Sequence, residues 1–407
     1  MENKANHRHQ FLVTLGLVLT FFSSACLWNE QSLGNYILCS IVVVGISFIT
    51  FFLYPIPFDT IINNRYIGWI VITYSIFELY GLLFLRIGAF NWDFILVSGI
   101  LQISITVMIM TLRNKDEVIS VLCKSCLIAI VIVCSYMVKK GSIKLSNITF
   151  GSSFGLELSG NRNTVATIIG LMLIPVSFLA INEKKYRIIY IAIAIFSSGC
   201  MLLTGSKKGI IVLLLIIMMI FFIDRGAFKY LIFPIVIAFG IYAVFNIPIL
   251  YNVVGYRLKD MFATLGIGTA VTNAQSTNIR NSFISMGLRS MWNHPIFGGG
   301  MNYFQFINNT RYYSHNNYIE LLNNFGILGF SIYYIPIFKK IPILYKDIKN
   351  NKGKESFSES VFLFVYLVSK IALDYAMVSY SAMCVFNIQV LIIFEILRRE
   401  NIKNEKT

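Results

Sequence analysis

A histidine, His315, lies in the polar segment Ser314–Tyr318, directly before an apolar run. Asn317, with Glu320 three residues later, predicts a helix start of the capping-box type at this point. The partial positive charge of a helix N-terminus disfavours protonation of a nearby imidazole, and a general base must be unprotonated to act. The segment therefore predicts either a general base at the membrane surface or an interfacial polar residue that only helps to cap the helix.

Two adjacent lysines, Lys207 and Lys208, open another apolar segment within the sequence Thr204–Gly209. A lysine is unfavourable beside a helix N-terminus unless an anion binds there as well. The pair therefore indicates an anion site or, equally, two interfacial side chains that extend to water.

An arginine, Arg289, is followed by a proline and by three consecutive glycines, Pro295 and 298–300. The guanidinium suits phosphate because it donates two parallel hydrogen bonds, and glycines in a tight turn let backbone approach a ligand closely. Arg289 is therefore a candidate phosphate ligand, with a surface position on a lid helix as the alternative. His294, next to Pro295, is predicted to belong to the turn.

The elements that must position these residues are membrane-spanning helices. The chain has 407 residues, of which 57% are hydrophobic and 13% charged. A soluble domain carries roughly 25% charged residues, so a soluble enzyme is excluded. A span needs about 20 apolar residues, and the sequence predicts an all-α polytopic membrane protein of about twelve spans, with eleven as the competing count. The predicted spans are Phe11–Trp28 (taken as an uncleaved first helix), Tyr36–Leu53, Ile67–Leu85, Phe94–Leu112, Val118–Val138, Thr164–Ile181, Ile188–Leu203, Ile210–Ile223, Tyr230–Val254, Tyr318–Phe338, Val361–Met377 and Tyr380–Leu397.

The basic residues set the predicted orientation. With a cytoplasmic N-terminus, 20 of the 34 Lys and Arg residues fall in inner segments and 12 in outer segments, and Lys124 and Lys370 fall within spans. This bias predicts that both termini are cytoplasmic. The outer segments contain only about four acids (Glu30, Asp93, Glu157 and Asp260), so the external face is itself basic. A basic external surface suggests an anionic substrate at the outer leaflet.

The whole chain, residues 1–407, is predicted to form one transmembrane domain, in which residues 255–317 are an external loop between the ninth and tenth helices. A loop of 63 residues within a compact protein is usually functional, and it is expected to carry part of the active site. Its stretch Ile279–Trp292 is amphipathic and predicts a short helix lying over the bundle.

Several classes of function and site are not predicted. The net charge of +15 follows from membrane orientation, so no nucleic-acid partner is expected. The sequence has no glycine-rich nucleotide loop and no paired outer carboxylates, and the CxxC of Cys123 and Cys126 lies inside a span without a second pair. We therefore predict no metal and no cofactor. Lys370 and Asp374, four residues apart within one span, are expected to pair.

In their order, the polar motifs resemble the O-antigen ligase and polysaccharide polymerase superfamily of the bacterial envelope. The shared elements are an Asn-bearing helix start, a Ser-base-Gly element, a loop arginine followed by proline and glycines, and a His-Asn pair before a Leu- and Gly-rich helix. They stand here at Gly160–Asn163, Ser206–Gly209, Arg289–Gly300 and His315–Gly329. The superfamily usually has arginine where this chain has Lys207, which replaces a bidentate fork with a point charge.

The resemblance implies metal-independent glycosyl transfer outside the membrane, from a glycan carried on undecaprenyl pyrophosphate. His315 would activate an acceptor hydroxyl group and Arg289 would hold the pyrophosphate leaving group. The substrate-binding residues implied by the resemblance or by charge are Lys207, Lys208, Arg280, Arg162, Asn163 and Asn316, although helix capping alone would explain Asn163.

Three functions compete. A polymerase joins carrier-linked repeat units, and we favour it because polymerases are the more widespread members of this superfamily. A ligase moves finished polymer from the same carrier to a lipid or protein acceptor. A non-enzymatic flippase would have a similar number of helices but no reason for a long external loop carrying His315. The expected partners are the pyrophosphate-linked glycan donor and acceptor, membrane lipid, and a chain-length regulator and flippase.

Overall fold

The computed structural model describes residues 2–27, 33–83, 92–112, 115–140, 154, 162–223, 229–264, 267–269, 271, 275–308, 312–352 and 356–380. Within these ranges the regular elements are helices. In chain order they are α1 (Glu2–Cys26), α2 (Leu33–Leu53), α3 (Phe58–Ile62), α4 (Arg65–Leu83), α5 (Trp92–Met110), α6 (Lys115–Lys139), α7 (Arg162–Asn182), α8 (Arg187–Leu203), α9 (Lys207–Ile223), α10 (Lys229–Asn246), α11 (Pro248–Leu250), a π-helix (Tyr251–Gly255), α12 (Tyr256–Thr264), α13 (Gln275–Ser290), a 3₁₀-helix (Met291–Asn293), α14 (Tyr303–Ile307), α15 (Asn317–Phe338), α16 (Lys340–Asn350) and α17 (Ser356–Asp374).

Eleven of the twelve predicted spans overlap a helix, and the segment Tyr380–Leu397 lies outside the described residues except for Tyr380. In the described part of the chain, six helices are long and apolar enough to cross a membrane, or seven if one bent pair forms a single span. The six are Asn6–Cys26, Gly34–Leu53, Glu117–Lys139, Arg162–Asn182, Asn317–Asn350 and Ser356–Asp374. The prediction of an all-helical, multi-pass membrane protein is confirmed, and the count of twelve spans stays a prediction.

Helix α2 shows a surface suited to lipid. Its large apolar side chains Ile41, Phe48 and Phe52 are 62%, 60% and 75% exposed. A row of such side chains would be unfavourable in water, whereas lipid chains cover it without cost.

Helix α7 is the central helix of the bundle. Every residue from Val165 to Leu179 is buried, as expected for a helix that is apolar on all sides. It packs against α6, α8, α9 and α17. Arg162 and Asn163 are its first two residues, so the packed core fixes their position.

The ninth predicted span, Tyr230–Val254, is not a single helix. Its helix bends by 86° between Ala238–Asn246 and Pro248–Asp260. Pro248 stands at the first position of α11, where its missing N–H costs nothing, but it cannot continue α10 because it lacks the donor that a helix interior requires. The π-helix Tyr251–Gly255 then leads into α12, which carries Arg257.

The tenth predicted span is interrupted at Gly326, which has φ 64° and ψ −166° inside α15. This break leaves helical carbonyl and amide groups without partners in their own helix, and loop residues 295–300 supply those partners. The four hydrogen bonds run from Gly299 N to Asn323 O (2.8 Å), from Gly300 N to Asn324 O (3.1 Å), from Ile327 N to Pro295 O (2.9 Å) and from Leu328 N to Ile296 O (3.1 Å). We call this arrangement the loop–helix junction.

Two glycines allow the loop–helix junction to close. A Cβ atom on Gly298 would lie 2.5 Å from the backbone carbonyl of Asn324, and one on Gly326 would lie 2.3 Å from Ile296 O. The loop glycines therefore let backbone approach other backbone, whereas the sequence suggested approach to a ligand. His294 lies in the turn, as predicted, and its carbonyl accepts from Gly298 N (2.9 Å).

The predicted pairing of Lys370 with Asp374 is confirmed. Both side chains are buried, and Lys370 Nζ donates to Asp374 Oδ2. The carboxylate also accepts from Tyr334 Oη (2.8 Å) and from Ser379 Oγ (2.6 Å). A buried ion pair needs such additional hydrogen bonds to offset its desolvation, and here they tie the end of α17 to α15.

Candidate functional site

The helix that follows His315 is capped by Asn316. The Asn316 side chain accepts from Tyr318 N (3.0 Å) and Ile319 N (3.2 Å), and its own backbone is extended. Such a cap contributes typically about 1 kcal/mol. The side-chain oxygen of Asn316 is thus engaged in the cap. The predicted role of Asn316 in substrate binding stays a prediction.

The predicted capping role of Asn317 is wrong. Its side chain is fully buried and donates to Tyr334 Oη (2.8 Å), while its oxygen accepts from Ser379 N (2.7 Å) and Tyr380 N (2.9 Å). Glu320 likewise accepts from Ser314 N (2.8 Å), so no capping box forms. Asn317 instead holds the start of α15 against the chain that follows α17.

The His315 imidazole lies half-buried at the start of α15, beside the ring of Tyr313 at a centroid distance of 4.2 Å. Burial, and then the charges of Arg280 and Lys208, lower the pKa of His315 from 6.5 to about 4. The imidazole is therefore neutral at physiological pH, as predicted, but the main cause is burial. Its backbone is in the left-handed region, with φ 58°.

The two candidate arginines of the loop lie on opposite faces of α13. They are nine residues apart, which is two and a half helical turns. Arg280 shares its face with Gly287, whose missing side chain leaves room for Ile319 of α15. Arg289 is exposed. Of the two predicted arginines, the structure brings Arg280 rather than Arg289 toward His315, and the role of Arg289 stays a prediction.

Helix α13 is fixed to α15 by Asn323. The Asn323 amide donates to Gly287 O (3.0 Å), and its oxygen accepts from Ser290 Oγ. Phe283 packs against Phe304 at a centroid distance of 5.7 Å in a small buried cluster. The amphipathic helix predicted at Ile279–Trp292 is thus confirmed, and these contacts hold its Arg280 face toward the bundle.

Two of the sequence motifs meet through a hydrogen bond from Ser206 Oγ to Asn163 Oδ1 (2.8 Å). Asn163 lies inside the first turn of α7, which begins at Arg162, so it is not the cap that the sequence predicted. The bond joins the start of α7 to the segment that precedes Lys207 and Lys208. Its role is to bring the two basic helix starts together.

The lysine pair does not extend freely to water. Lys208 is buried and acts electrostatically on His315. Lys207 is half-buried and lies within the electrostatic range of Asp260, Arg280 and Arg257. Both lysines therefore belong to one charged site rather than to a solvated surface.

Arg257 is the residue that the sequence reasoning missed as a member of the site. Gly205, with φ 63°, lies directly against it, since a Cβ on Gly205 would be 2.7 Å from Arg257 Nε. The charges of Arg257 and Arg280 act on Arg162. In the sequence, Gly205 before the lysine pair could have indicated that another part of the chain packs closely there. The sequence does not show that this part is the side chain of Arg257.

We call the five cations of this site the cation cluster. It comes from four helices, and two of its members, Arg280 and Lys208, act electrostatically on the imidazole of His315. The carboxylate of Asp260 acts on one of its members, Lys207. The cluster consists of Arg162, Lys207, Lys208, Arg257 and Arg280.

Residues suited to metal binding do not converge here. Within the described ranges, no group of three or more His, Cys, Asp or Glu side chains could hold a metal ion. Cys123 and Cys126 lie buried within α6. The absence of a metal or cofactor from the chemistry stays a prediction.

The fold and the site together define a multi-pass membrane protein with a basic polar site at the starts of α7, α9 and α15. Residues 192–334 match the model of the O-antigen ligase family. The matched stretch contains His315, the loop–helix junction and every member of the cation cluster except Arg162. The resemblance to the O-antigen ligase and polymerase superfamily is thus confirmed, and it indicates a function of the ligase or polymerase type. A search of curated proteins finds no match.

Proposed function

We propose that the protein is a membrane glycosyltransferase of the polymerase type, which joins glycan repeat units carried on undecaprenyl pyrophosphate. The observation that carries this proposal is a neutral imidazole placed beside the cation cluster. A neutral base can accept a proton from a sugar hydroxyl group, and the cations can receive the anion that departs.

The reaction can be written on these residues. His315 takes the proton of the acceptor hydroxyl as its oxygen bonds to the anomeric carbon of the donor. The bond from that carbon to the pyrophosphate oxygen breaks, and its electron pair leaves with the carrier pyrophosphate. The growing negative charge is stabilised by cations already in place, a type of interaction worth about 3–4 kcal/mol for one removed donor in comparable sites.

The site is proposed to face the outside of the cytoplasmic membrane, with both chain termini inside. The partners would be a pyrophosphate-linked donor and acceptor, membrane lipid, and a flippase and chain-length regulator that act before and with the enzyme. A ligase would use the same donor, base and cations with a different acceptor, and a flippase is the alternative without catalysis. A half-buried imidazole beside the cations supports an enzyme, because a flippase needs no base.

The experiment that tests the function examines lipid-linked glycans in cells that lack the protein. Single repeat units that reach the outer leaflet and are not lengthened would support a polymerase. Long polymer that remains on its carrier would show a ligase instead, and single units held on the cytoplasmic side would show a flippase. Restoration by the wild-type chain is the control.

We expect Arg280→Gln to slow glycan transfer at least about tenfold, because Arg280 acts on the His315 site and its loss removes a charge-stabilising donor. Arg289→Gln should have the smaller effect, since Arg289 is exposed on the opposite face of α13. Transfer by the two purified variants, compared at equal amounts of folded protein, measures the difference. A larger loss for Arg289→Gln would restore Arg289 as the leaving-group ligand.

We also expect an unusual pH dependence. His315 must be unprotonated to act as a base, and its pKa in the free protein is about 4. The acid limb of kcat/KM should therefore lie near pH 4, with no contribution from His315 between pH 6 and 8. A bound pyrophosphate favours the imidazolium, so the acid limb of kcat should lie at higher pH. A limb of kcat/KM at the ordinary histidine value of about 6.5 would contradict the assignment.

A further inference from the structure

We propose that Arg257 is a phosphate ligand of this site, and that the broken helix before it serves to deliver its guanidinium. The inference rests on the proposed function, because it assigns a further residue to the carrier's phosphate. Neither the sequence motifs nor the family resemblance identified this arginine as part of the site.

The path of the chain determines where Arg257 lies. The 86° bend at Pro248 turns the helix aside, and the π-helix that follows ends two residues before Arg257. Gly255 allows the π-helix to pack closely against α10, since a Cβ on Gly255 would lie 2.6 Å from Val244 O. π-Helical turns are frequent at functional sites, because they reorient side chains that a regular helix would place elsewhere.

The guanidinium of Arg257 is held in place but not satisfied. It lies against Gly205 and over the ring of Tyr256, 5.1 Å from its centroid. Its Nε is buried, and within the part of the chain that the structure describes it has no hydrogen-bond partner. A buried N–H group without an acceptor is costly, and an oxygen of a bound phosphate would supply the acceptor that this Nε lacks among the described residues.

The charges around Arg257 specify an anion. Arg162 and Lys207 lie within its electrostatic range, and both are cations. The nearby carboxylate of Asp260 accepts from Val271 N (2.7 Å). Like charges held together in this way favour a bound anion, and a guanidinium suits the oxygens of phosphate in particular.

The test uses the purified full-length protein in detergent and farnesyl pyrophosphate as a soluble isoprenyl pyrophosphate probe. We expect Arg257→Gln to weaken probe binding at least tenfold and to reduce the salt dependence of binding. Arg257→Lys, which keeps the charge but lacks Nε, should recover only part of the loss. Lys259→Gln is the matched control, because it removes one charge two residues away from an exposed position on the same helix.

The outcomes separate this inference from the proposed function. Probe binding by Arg257→Gln equal to that of the wild type, with unchanged thermal unfolding, would overturn the role of Arg257 and leave the function standing. An equal loss in Lys259→Gln would also overturn it, since the effect would then be one of net charge. Failure of the wild-type protein to bind the probe would overturn the pyrophosphate donor itself, and the inference with it.

Discussion

The His315→Asn variant is expected to lose glycan transfer by about 100- to 10,000-fold, the range that general base catalysis contributes. An asparagine amide cannot accept the hydroxyl proton at neutral pH, so the acceptor oxygen would have to attack without a base. Asparagine is the replacement of choice because His315 has φ 58°, and asparagine tolerates this region better than alanine. The rate of transfer by the purified protein from a lipid-linked donor is the measurement.

His294→Asn is the matched control for this variant. The substitution is the same, from histidine to asparagine, and lies in the same loop. His294, however, is exposed and lies in the turn before the loop–helix junction. We expect transfer within about twofold of the wild type. If His315→Asn keeps more than a tenth of wild-type activity while it folds normally, His315 is not the base.

The second large effect is expected from Gly326→Ala, which should prevent accumulation of folded protein. Its φ of 64° and ψ of −166° lie in a region that is essentially restricted to glycine, and such backbone alone costs about 1–3 kcal/mol in other residues. In addition, the new Cβ would lie 2.3 Å from Ile296 O. That oxygen cannot withdraw freely, because it accepts the hydrogen bond from Leu328 N.

Gly268→Ala separates the two contributions. Gly268 also has a positive φ, 78°, but a Cβ there would meet no atom of the described residues within 4 Å. This control should show the conformational strain without the collision, and it should lower the thermal unfolding midpoint only modestly. The amount of monodisperse protein extracted from membranes and its unfolding midpoint measure both variants. Equal behaviour of the two variants would show that the loop–helix junction adds nothing to stability.

Much of the bundle could be predicted from hydropathy, since a run of apolar residues must form a helix in lipid whatever its neighbours are. The break at Gly326 could not be predicted in this way. It depends on residues 295–300, and the sequence around Gly326 continues the apolar pattern through the break. The bend at Pro248 carried a clearer local signal, because proline cannot continue a helix.

The site was predictable in its residue types more than in its geometry. The neutral state of His315 is correct, although burial causes it more than the helix terminus does. The period of α13 already separates Arg280 from Arg289, and the face carrying Phe283 is the one that packs. Arg257 joins the site only through a change of helix direction, which no local pattern of residues encodes.

The loop–helix junction also constrains how the protein is made. The general order for membrane proteins is that helices insert first and pack afterwards. Here a span that entered lipid already broken at Gly326 would leave backbone groups at Asn323, Asn324, Ile327 and Leu328 without partners, at several kcal/mol for each group. Residues 295–300 are synthesised before this span, but they can pair with it only after the span has entered the membrane. We therefore expect the break at Gly326 to form together with the docking of the loop, after the span has entered the membrane.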